Sequence, residues 1–250
     1  MAITIKNEVQ INKMKEACKI NREAMELIEK NIRVGVSTME LDKLAFDYIS
    51  ENGGVPSFKG YGGFTGSICA SINNQLIHGI PSKNAILKEG DIFSVDIGTF
   101  KNGFHADMAR TFPVGKISQE AQNLIDVTKQ SFFEGIKYAK VGNYLYDISG
   151  AIESHILKNG YSIVEDFVGH GIGKNLHEDP QIPNFKPKNQ RGCKLVKGMT
   201  LAIEPMVNIG KKEVKVLQDG WTVVTKDGSL CAHYENTILI TEGEPEILTI

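Results

Sequence analysis

The 250-residue sequence lacks the features that mark membrane, disulfide-rich and nucleic-acid-binding proteins. No apolar run is long enough to span a bilayer, and the first six residues lack the apolar stretch of a signal peptide. Four scattered cysteines without a CxxC pair favour free thiols in a reducing cytoplasm. With 28 basic and 30 acidic residues, the chain also lacks a global basic field. The remaining composition, 41% hydrophobic, predicts a soluble cytoplasmic α/β protein.

Apolar periodicity predicts four helices in two pairs, each pair followed by strands. The first pair covers about residues 8–31 and a segment that begins after the capping box of Ser37 and ends at Asn52. The second pair covers about 118–138 and 144–159. Strand patterns are found at 67–72, 92–100 and 104–112, and again at 199–207, 221–225 and 232–240.

The two series of helices and strands are related by an offset of 107 residues. At this offset Val34-Gly35 matches Val141-Gly142, and Asn52-Gly53 matches Asn159-Gly160. The pattern predicts a duplication whose halves, approximately 8–115 and 116–245, pack about a pseudo-twofold axis. Because no proline-rich linker separates the halves, we expect one catalytic domain, residues 1–250, with its site at their junction.

Two aspartates lie within otherwise apolar strand patterns on either side of a predicted hairpin turn. With the turn near Asn102, Asp96 and Asp107 fall within a residue or two of facing each other, and one bulge would bring both to the same face. Neighbouring carboxylates repel each other and lose hydration when buried. The pair therefore either faces water or is held by a cation, and the hairpin alone leaves both interpretations open.

The second part of the chain adds three more candidate ligands. Glu204 and Glu235 each lie in an apolar strand pattern, and the 107-residue offset carries Asp96 to within one residue of Glu204. His170 lies on a predicted glycine-rich loop, residues 169–173. Four carboxylates and one imidazole suit divalent ions such as Mn²⁺, Fe²⁺ or Co²⁺, and they resemble neither a thiolate zinc site nor an EF-hand. Five donors exceed the needs of one such ion with an open position, so two bridged ions are expected.

In order and local context these five residues resemble the metal ligands of the methionine aminopeptidase family. The surrounding strings SVDIG, GHGIG, LHEDP and IEPM, and the segment NNQLIHGIP, resemble that family as well. The likeness covers essentially the whole chain, and its short spacing from His170 to Glu204 is typical of the bacterial type 1 form without an N-terminal extension. The resemblance implies an α/β (α+β) pita-bread fold, with two pseudo-twofold-related halves around a central antiparallel sheet.

The resemblance also implies how the ligands share two ions. Asp96 would bind one ion, His170 and Glu204 the other, and Asp107 and Glu235 would bridge them. A hydroxide between the ions would attack the first peptide bond, with Glu204 as its general base. The implied activity is removal of the N-terminal methionine from nascent polypeptides whose second residue is small.

Two histidines outside the metal ligands would contact the substrate in this family. His177 would hydrogen-bond the carbonyl oxygen, and His78 the scissile amide nitrogen or its leaving group. The methionine side chain would enter an apolar pocket lined by Tyr61, Phe64, Cys69, Leu176 and Trp221.

Two pocket positions depart from the family pattern. Phe58 stands where well-known bacterial members have a small cysteine at the pocket rim, and Leu176 stands where they often carry phenylalanine. The two changes are opposite in size, so we expect a pocket of altered shape that still accepts methionine.

Three other functions share parts of the pattern. An Xaa-Pro aminopeptidase of the same fold would usually carry a second-half histidine and an extra N-terminal domain, and neither is apparent. A dimetal phosphoesterase is a second alternative, and a metal-free binding module is the third. A pure binder, however, has no reason to concentrate carboxylates on apolar strands.

A basic segment, residues 186–197, carries five cations and no acid. It is most simply a solvated face, but it is also a candidate for transient contact with the ribosome. The five cations of this segment are Lys186, Lys188, Arg191, Lys194 and Lys197.

For the whole protein we expect a monomer without a membrane partner.

Overall fold

The computed structural model describes residues 3–250, so Met1 and Ala2 of the predicted domain lie outside the described residues. The first half contains two long helices, a one-turn 3₁₀ segment at Tyr61–Gly63 and five strands. These are α1 (Glu8–Asn31), α2 (Thr38–Glu51), β1 (Val55–Pro56), β2 (Ile68–Ile72), β3 (Gln75–Ile77), β4 (Ile92–Lys101) and β5 (Phe104–Pro113).

The second half again begins with two helices and continues in strands. Its elements are α3 (Gln119–Ile136), α4 (Leu145–Lys158), β6 (Ser162–Ile163), β7 (Val168–Gly171), β8 (Glu178–Pro183), β9 (Thr200–Ile203), β10 (Met206–Asn208), β11 (Val214–Val216), β12 (Val223–Thr225), β13 (Cys231–His233), β14 (Glu235–Leu239) and β15 (Glu246–Ile247).

The four predicted helices are confirmed, and their ends follow from local capping. At the start of α2 the Ser37 hydroxyl accepts the Glu40 amide, and the Glu40 carboxylate accepts the Ser37 amide. The Ser118 hydroxyl accepts the Ala121 amide at the start of α3. Because these signals depend on neighbouring residues only, the sequence locates the helix ends to within about two residues.

Nine strands from both halves form one antiparallel sheet, and the other strands form two three-stranded sheets, β13-β10-β6 and β11-β12-β3. The main order of the nine-stranded sheet is β1-β4-β5-β14-β9-β7-β8, with β2 also paired to β4 and β15 paired to β14. The junction of the halves is the pairing of β5 with β14. Helices α1 and α2 pack their buried residues against Phe93, Val95 and Ile97 of β4, while α3 and α4 pack against β9 and β14. Residues on the opposite face of the sheet are therefore free to form a site.

The β4–β5 hairpin places both aspartates on that opposite face. Asp96 pairs with Ala109 and Asp107 pairs with Gly98. Opposed residues of an antiparallel pair share a face, as do residues two apart in one strand, so the two carboxylates lie diagonally on one face. No bulge is needed to bring them to one face, because pairing over the described residues 92–113 runs without a register shift.

Two predicted strands are each divided in the structure. The strand predicted at 199–207 forms β9 and β10, and the strand predicted at 232–240 forms β13 and β14. Pro205 has no amide hydrogen to donate to the ladder, and beyond it the chain leaves the large sheet for the smaller sheet β13-β10-β6. Tyr234, whose amide donates to the Pro205 carbonyl at 3.2 Å, marks the return to the large sheet. The two interruptions lie side by side, which brings the glutamates of both segments together.

His170 lies on strand β7 rather than on the predicted loop, where it pairs with Ala202 of β9. The flanking glycines serve close strand packing. A Cβ at Gly169 would lie 2.4 Å from the Ala202 carbonyl oxygen, and one at Gly171 would lie 2.2 Å from the Asp179 carbonyl oxygen. The glycines that suggested a loop therefore allow three strands to approach.

None of the helices described in residues 3–250 is both long and apolar enough to cross a bilayer. All four cysteines are free, as expected from their scatter.

Candidate metal centre

The predicted metal ligands converge at the junction of the two halves. Asp96 and Glu235 both pair with Ala109 of the strand between them. Glu204 follows the last residue of β9, and His170 lies on the neighbouring β7. Adjacent antiparallel strands thus bring together residues that are far apart in sequence.

Three of these residues bring donor atoms close enough together to share a metal ion, and Glu204 lies next to one of them. One donor atom each from Asp107, His170 and Glu235 lies within 4.8 Å of the other two. His170 Nε2 is 3.8 Å from Asp107 Oδ2 and 3.7 Å from Glu204 Oε1. Among the described residues, Oδ1 of Asp96, Oδ1 of Asp107 and Oε1 of Glu235 are buried without a hydrogen-bond partner. Buried carboxylate oxygens are costly in that state, and a cation removes the cost.

Burial makes these carboxyl groups weak acids in the ion-free protein. Desolvation raises the pKa of Asp96 to about 7 and raises the pKa values of Asp107, Glu204 and Glu235 well above their ordinary values. Neighbouring carboxylates raise the pKa values of Asp107 and Glu235 further. A divalent cation stabilises the charged forms, so the donor set fits divalent metal ions.

His170 is prepared to act as a ligand. Burial lowers its pKa to about 3, so the ring is neutral near pH 7. Its Nδ1 lies 2.8 Å from the carbonyl oxygen of Gly171, which can only accept, and Nδ1 therefore carries the proton. The lone pair of Nε2 is left to face the carboxylates, as metal-bound histidines require.

One residue beside this centre, His233, was not predicted from the sequence. Its ring is 2% exposed, Nε2 lies 3.7 Å from Glu204 Oε2, and burial lowers its pKa to about 4. A signal was present, since His233 lies two residues before Glu235 and strand periodicity would place both on one face. At 3.7 Å the two atoms are too far apart for a hydrogen bond, and within residues 3–250 His233 Nε2 has no hydrogen-bond partner, so the neutral ring lies beside the Glu204 carboxylate without holding it.

Two threonines extend the pairing of the halves beyond the β5–β14 ladder. The Thr237 hydroxyl accepts the Asp107 amide and donates to the Asp107 carbonyl. At the other end, the Thr111 hydroxyl makes the same two bonds with the backbone of His233. The two threonine contacts are related by an approximate twofold axis through the Ala109–Glu235 pair. They fix the backbone of β5 and β14 on both sides of the candidate metal centre.

The two predicted substrate histidines lie beside the carboxylates. His177 Nδ1 is 2.8 Å from the Tyr61 hydroxyl, and its ring centroid is 4.4 Å from that of His170. His78 has φ of 59°, a strained value for a residue with a side chain, and its ring packs edge-on against Trp221 with centroids 6.3 Å apart. Burial lowers the pKa values of both rings, that of His78 to about 4, so both are neutral at pH 7.

The rest of the wall is mainly apolar. Phe58 occupies space that Gly98 leaves, since a Cβ at Gly98 would lie 2.7 Å from Phe58 Cε1. Phe64 and Trp221 meet edge to face with centroids 5.1 Å apart. One cavity of about 170 Å³ is lined by the five predicted metal ligands, by His78 and His177, and by the six predicted pocket residues. The pocket residues are Phe58, Tyr61, Phe64, Cys69, Leu176 and Trp221. The structure therefore brings every predicted site residue together.

A buried cluster of carboxylates and a neutral imidazole beside an apolar cavity defines a metal-dependent hydrolase. Residues 12–242 match metallopeptidase family M24, and the chain belongs to this family.

Within the family, the similarity is to methionine aminopeptidases. The chain is 55% identical to the methionine aminopeptidase of Clostridium acetobutylicum over 248 residues, which are 99% of each protein. The crystal structure of the methionine aminopeptidase of Thermotoga maritima superposes with a TM-score of 0.97 at 44% identity, covering 99% of each chain. These findings confirm the family resemblance and the pita-bread fold.

An X-Pro aminopeptidase of Thermotoga maritima shares the fold at a TM-score of 0.78 and 22% identity. The superposition covers 98% of this chain but 62% of that one, and at this identity it shows the fold alone. The comparisons thus favour none of the three alternatives, the Xaa-Pro aminopeptidase, the phosphoesterase and the metal-free binding module.

Proposed function

We propose that this chain is a metal-dependent methionine aminopeptidase, which removes the N-terminal methionine from nascent polypeptides whose second residue is small. The observation that carries the proposal is one cavity of about 170 Å³ that combines a metal-ligand cluster, two neutral histidines and an apolar wall. A methionine side chain fits the apolar part, while the first peptide bond lies toward the polar part.

The metal-binding role belongs to Asp96, Asp107, His170, Glu204 and Glu235. We propose that they hold two divalent ions, with Fe²⁺, Mn²⁺ or Co²⁺ suited to this donor set. Once bound, such ions supply Lewis acidity toward the peptide carbonyl and the attacking water. Of these residues, Asp96 would hold one ion, His170 and Glu204 would hold the other, and Asp107 and Glu235 would be shared between them.

The remaining polar groups handle protons and orient the substrate. Glu204 accepts the proton of the attacking water, and the neutral His233 ring lies beside its carboxylate. A Tyr61 hydroxyl that donates to His177 Nδ1 leaves the ring proton on Nε2, which then donates to the developing oxyanion. His78 contacts the scissile amide nitrogen or its leaving group.

A peptide panel tests this function. The metal-loaded protein should cleave Met-Ala-Ser with a much higher kcat/KM than Leu-Ala-Ser or Met-Lys-Ser, because the pocket selects the first side chain and space near His78 limits the second. Equal cleavage of Leu-Ala-Ser and Met-Ala-Ser would contradict methionine specificity. Preferential release of residues that precede proline would favour an Xaa-Pro aminopeptidase.

We also propose that the enzyme acts as a monomer in the cytoplasm near the ribosome, where nascent chains emerge. In support of ribosome contact, all five cations of the basic segment are exposed. Two of these cations are partly neutralised by ion pairs, since Lys186 lies 3.6 Å from Asp147 and Lys197 lies 3.7 Å from Glu242. Lys188, Arg191 and Lys194 therefore carry most of the free positive charge. We further propose that the halves act as one catalytic domain, because β5 and β14 join them within a single sheet.

A further inference from the structure

A buried ion pair ties the N-terminal segment to the loop that carries His177. Residues 172–177 connect β7 to β8 and bring His177 to the cavity. At the start of β8 the Glu178 carboxylate accepts a hydrogen bond from Lys6 Nζ at 2.7 Å, and both side chains are 5% exposed. The Thr4 hydroxyl donates to the same carboxylate oxygen. A segment at the beginning of the chain thus contacts a residue adjacent to the proposed oxyanion donor.

The Lys6–Glu178 ion pair is buried against the loop of residues 172–177. A Cβ at Gly173 would lie 2.5 Å from Lys6 Cε and 2.7 Å from Glu178 Oε1, so this position leaves room for both side chains only as glycine. The same Oε1 accepts the Asn175 amide at 3.2 Å. The Lys6 amide donates to the Gly198 carbonyl at 2.8 Å, which anchors the segment next to β9. Both oxygens of Glu178 therefore hold the loop to a fixed support.

The carboxylate is kept charged by these contacts. Burial alone raises the pKa of Glu178, but the bonds from Lys6, Thr4 and the Asn175 amide outweigh it and lower the pKa below its ordinary value. The ring of His177 is bonded to Tyr61, a side chain that is 48% exposed. The position of the ring consequently depends on the backbone that precedes Glu178.

We propose that Lys6 and Glu178 are positioning residues for His177, holding residues 172–177 so that the imidazole meets the substrate carbonyl. Neither residue lines the cavity, so neither touches the substrate. This proposal rests on the proposed aminopeptidase function. It means that an ion pair between two residues more than 170 positions apart in sequence affects the rate of catalysis.

Steady-state kinetics on Met-Ala-Ser test the proposal in Lys6→Met, Glu178→Gln and the double variant Lys6→Met/Glu178→Gln. We expect kcat to fall by about 10- to 100-fold, since a displacement of about 1 Å can cost that much, with KM and bound metal near the parent values. The double variant leaves no unpaired charge buried, so it serves if a single variant fails to fold. Lys15→Met is the matched control, because the Lys15–Glu246 pair is also 2.7 Å long but more than 40% exposed. It should keep the parent kcat.

The same variants in a His177→Ala background separate positioning from general stability. If the pair acts through His177, the Lys6→Met change should lower kcat by less than about twofold once that imidazole is absent. An undiminished loss in that background would overturn the proposal, and so would a folded double variant with the parent kcat. Failure of the proposed function itself would appear separately, as a metal-loaded parent protein that does not cleave Met-Ala-Ser.

Discussion

Single side chains at this site act in protonation states that burial sets. His78, His170 and His177 are all shifted toward the neutral ring, which lets one nitrogen accept while the other donates. In His170 the bond to the Gly171 carbonyl directs the lone pair to the carboxylates, whereas His177 bonds to Tyr61 and presents its other nitrogen to the cavity. The same residue type therefore suits the proposed ligand role at one position and the proposed substrate-donor role at another.

The two proposed substrate histidines, His78 and His177, should be separable from the proposed metal ligands by mutation. We expect His177→Ala to lower kcat by about 10²–10³, the loss typical of one oxyanion donor, with metal content unchanged. His78→Ala should behave similarly. Elemental analysis of the purified variants provides the check, and a histidine variant that purified without metal would show that a ligand had been taken for a substrate contact.

The identity of residue 58 should tune substrate preference without abolishing it. Phe58→Cys enlarges the pocket beside Leu176, and a misfit of one methylene in an apolar pocket is worth about 1–3 kcal/mol. The ratio of kcat/KM for a methionine substrate to that for a norleucine substrate should therefore differ between the parent and Phe58→Cys by about 10- to 200-fold. Both proteins should reject substrates whose first residue is β-branched. An unchanged ratio in Phe58→Cys would remove residue 58 from the specificity pocket.

Site residues could be predicted where their chemistry conflicts with their surroundings. Asp96, Asp107, Glu204 and Glu235 stand out because carboxylates within apolar strand patterns need a partner. His233 was missed because a histidine in such a pattern carries no comparable conflict, and its contact with Glu204 arises only from the folded arrangement.

At the scale of elements, the sequence predicts what depends on neighbouring residues and misses what depends on strand pairing. The helices and the β4–β5 hairpin follow from periodicity, caps and a turn. The division of two strands at Pro205 and Tyr234 does not, because a change of sheet is decided by which strands lie alongside. The mistaken loop at His170 has the same origin, since glycine signals a loop in sequence but here permits close packing.

The basic segment is an element whose role can be tested by charge reversal. Lys188→Glu, Arg191→Glu and Lys194→Glu together should reduce co-sedimentation with ribosomes by about tenfold at low salt, because such docking is electrostatic. Cleavage of Met-Ala-Ser, which needs no ribosome, should stay at the parent rate and serves as the control. Unchanged co-sedimentation would return the segment to an ordinary solvated face.

For the whole molecule, metal binding should be coupled to proton release. The pKa of Asp96 is about 7 in the ion-free folded protein against 3.8 in the unfolded chain, so folding binds a proton between these values. That contribution to stability is present at low pH and is lost as the pH rises through about 7. Metal ions need the charged carboxylate, so their affinity should instead rise from pH 6 to pH 8.

Calorimetry in two buffers of different ionisation enthalpy measures this coupling. At pH 6.5 metal loading should release about one proton or more per protein. Asp96→Asn should release fewer protons than the parent. Loading of the parent without proton release would contradict the assignment of the raised carboxylate pKa values to the metal centre.

The most direct test of the account is the rate of Met-Ala-Ser hydrolysis before and after removal of metal. Protein treated with a chelator and shown by elemental analysis to be metal-free should be inactive, and it should regain activity when Mn²⁺, Fe²⁺ or Co²⁺ is added. Asp107→Ala should regain little under the same conditions, since Asp107 is proposed to bridge both ions. Full activity in the metal-free parent, or in Asp107→Ala, would contradict the claim that this cluster binds the metal that cleaves the N-terminal methionine.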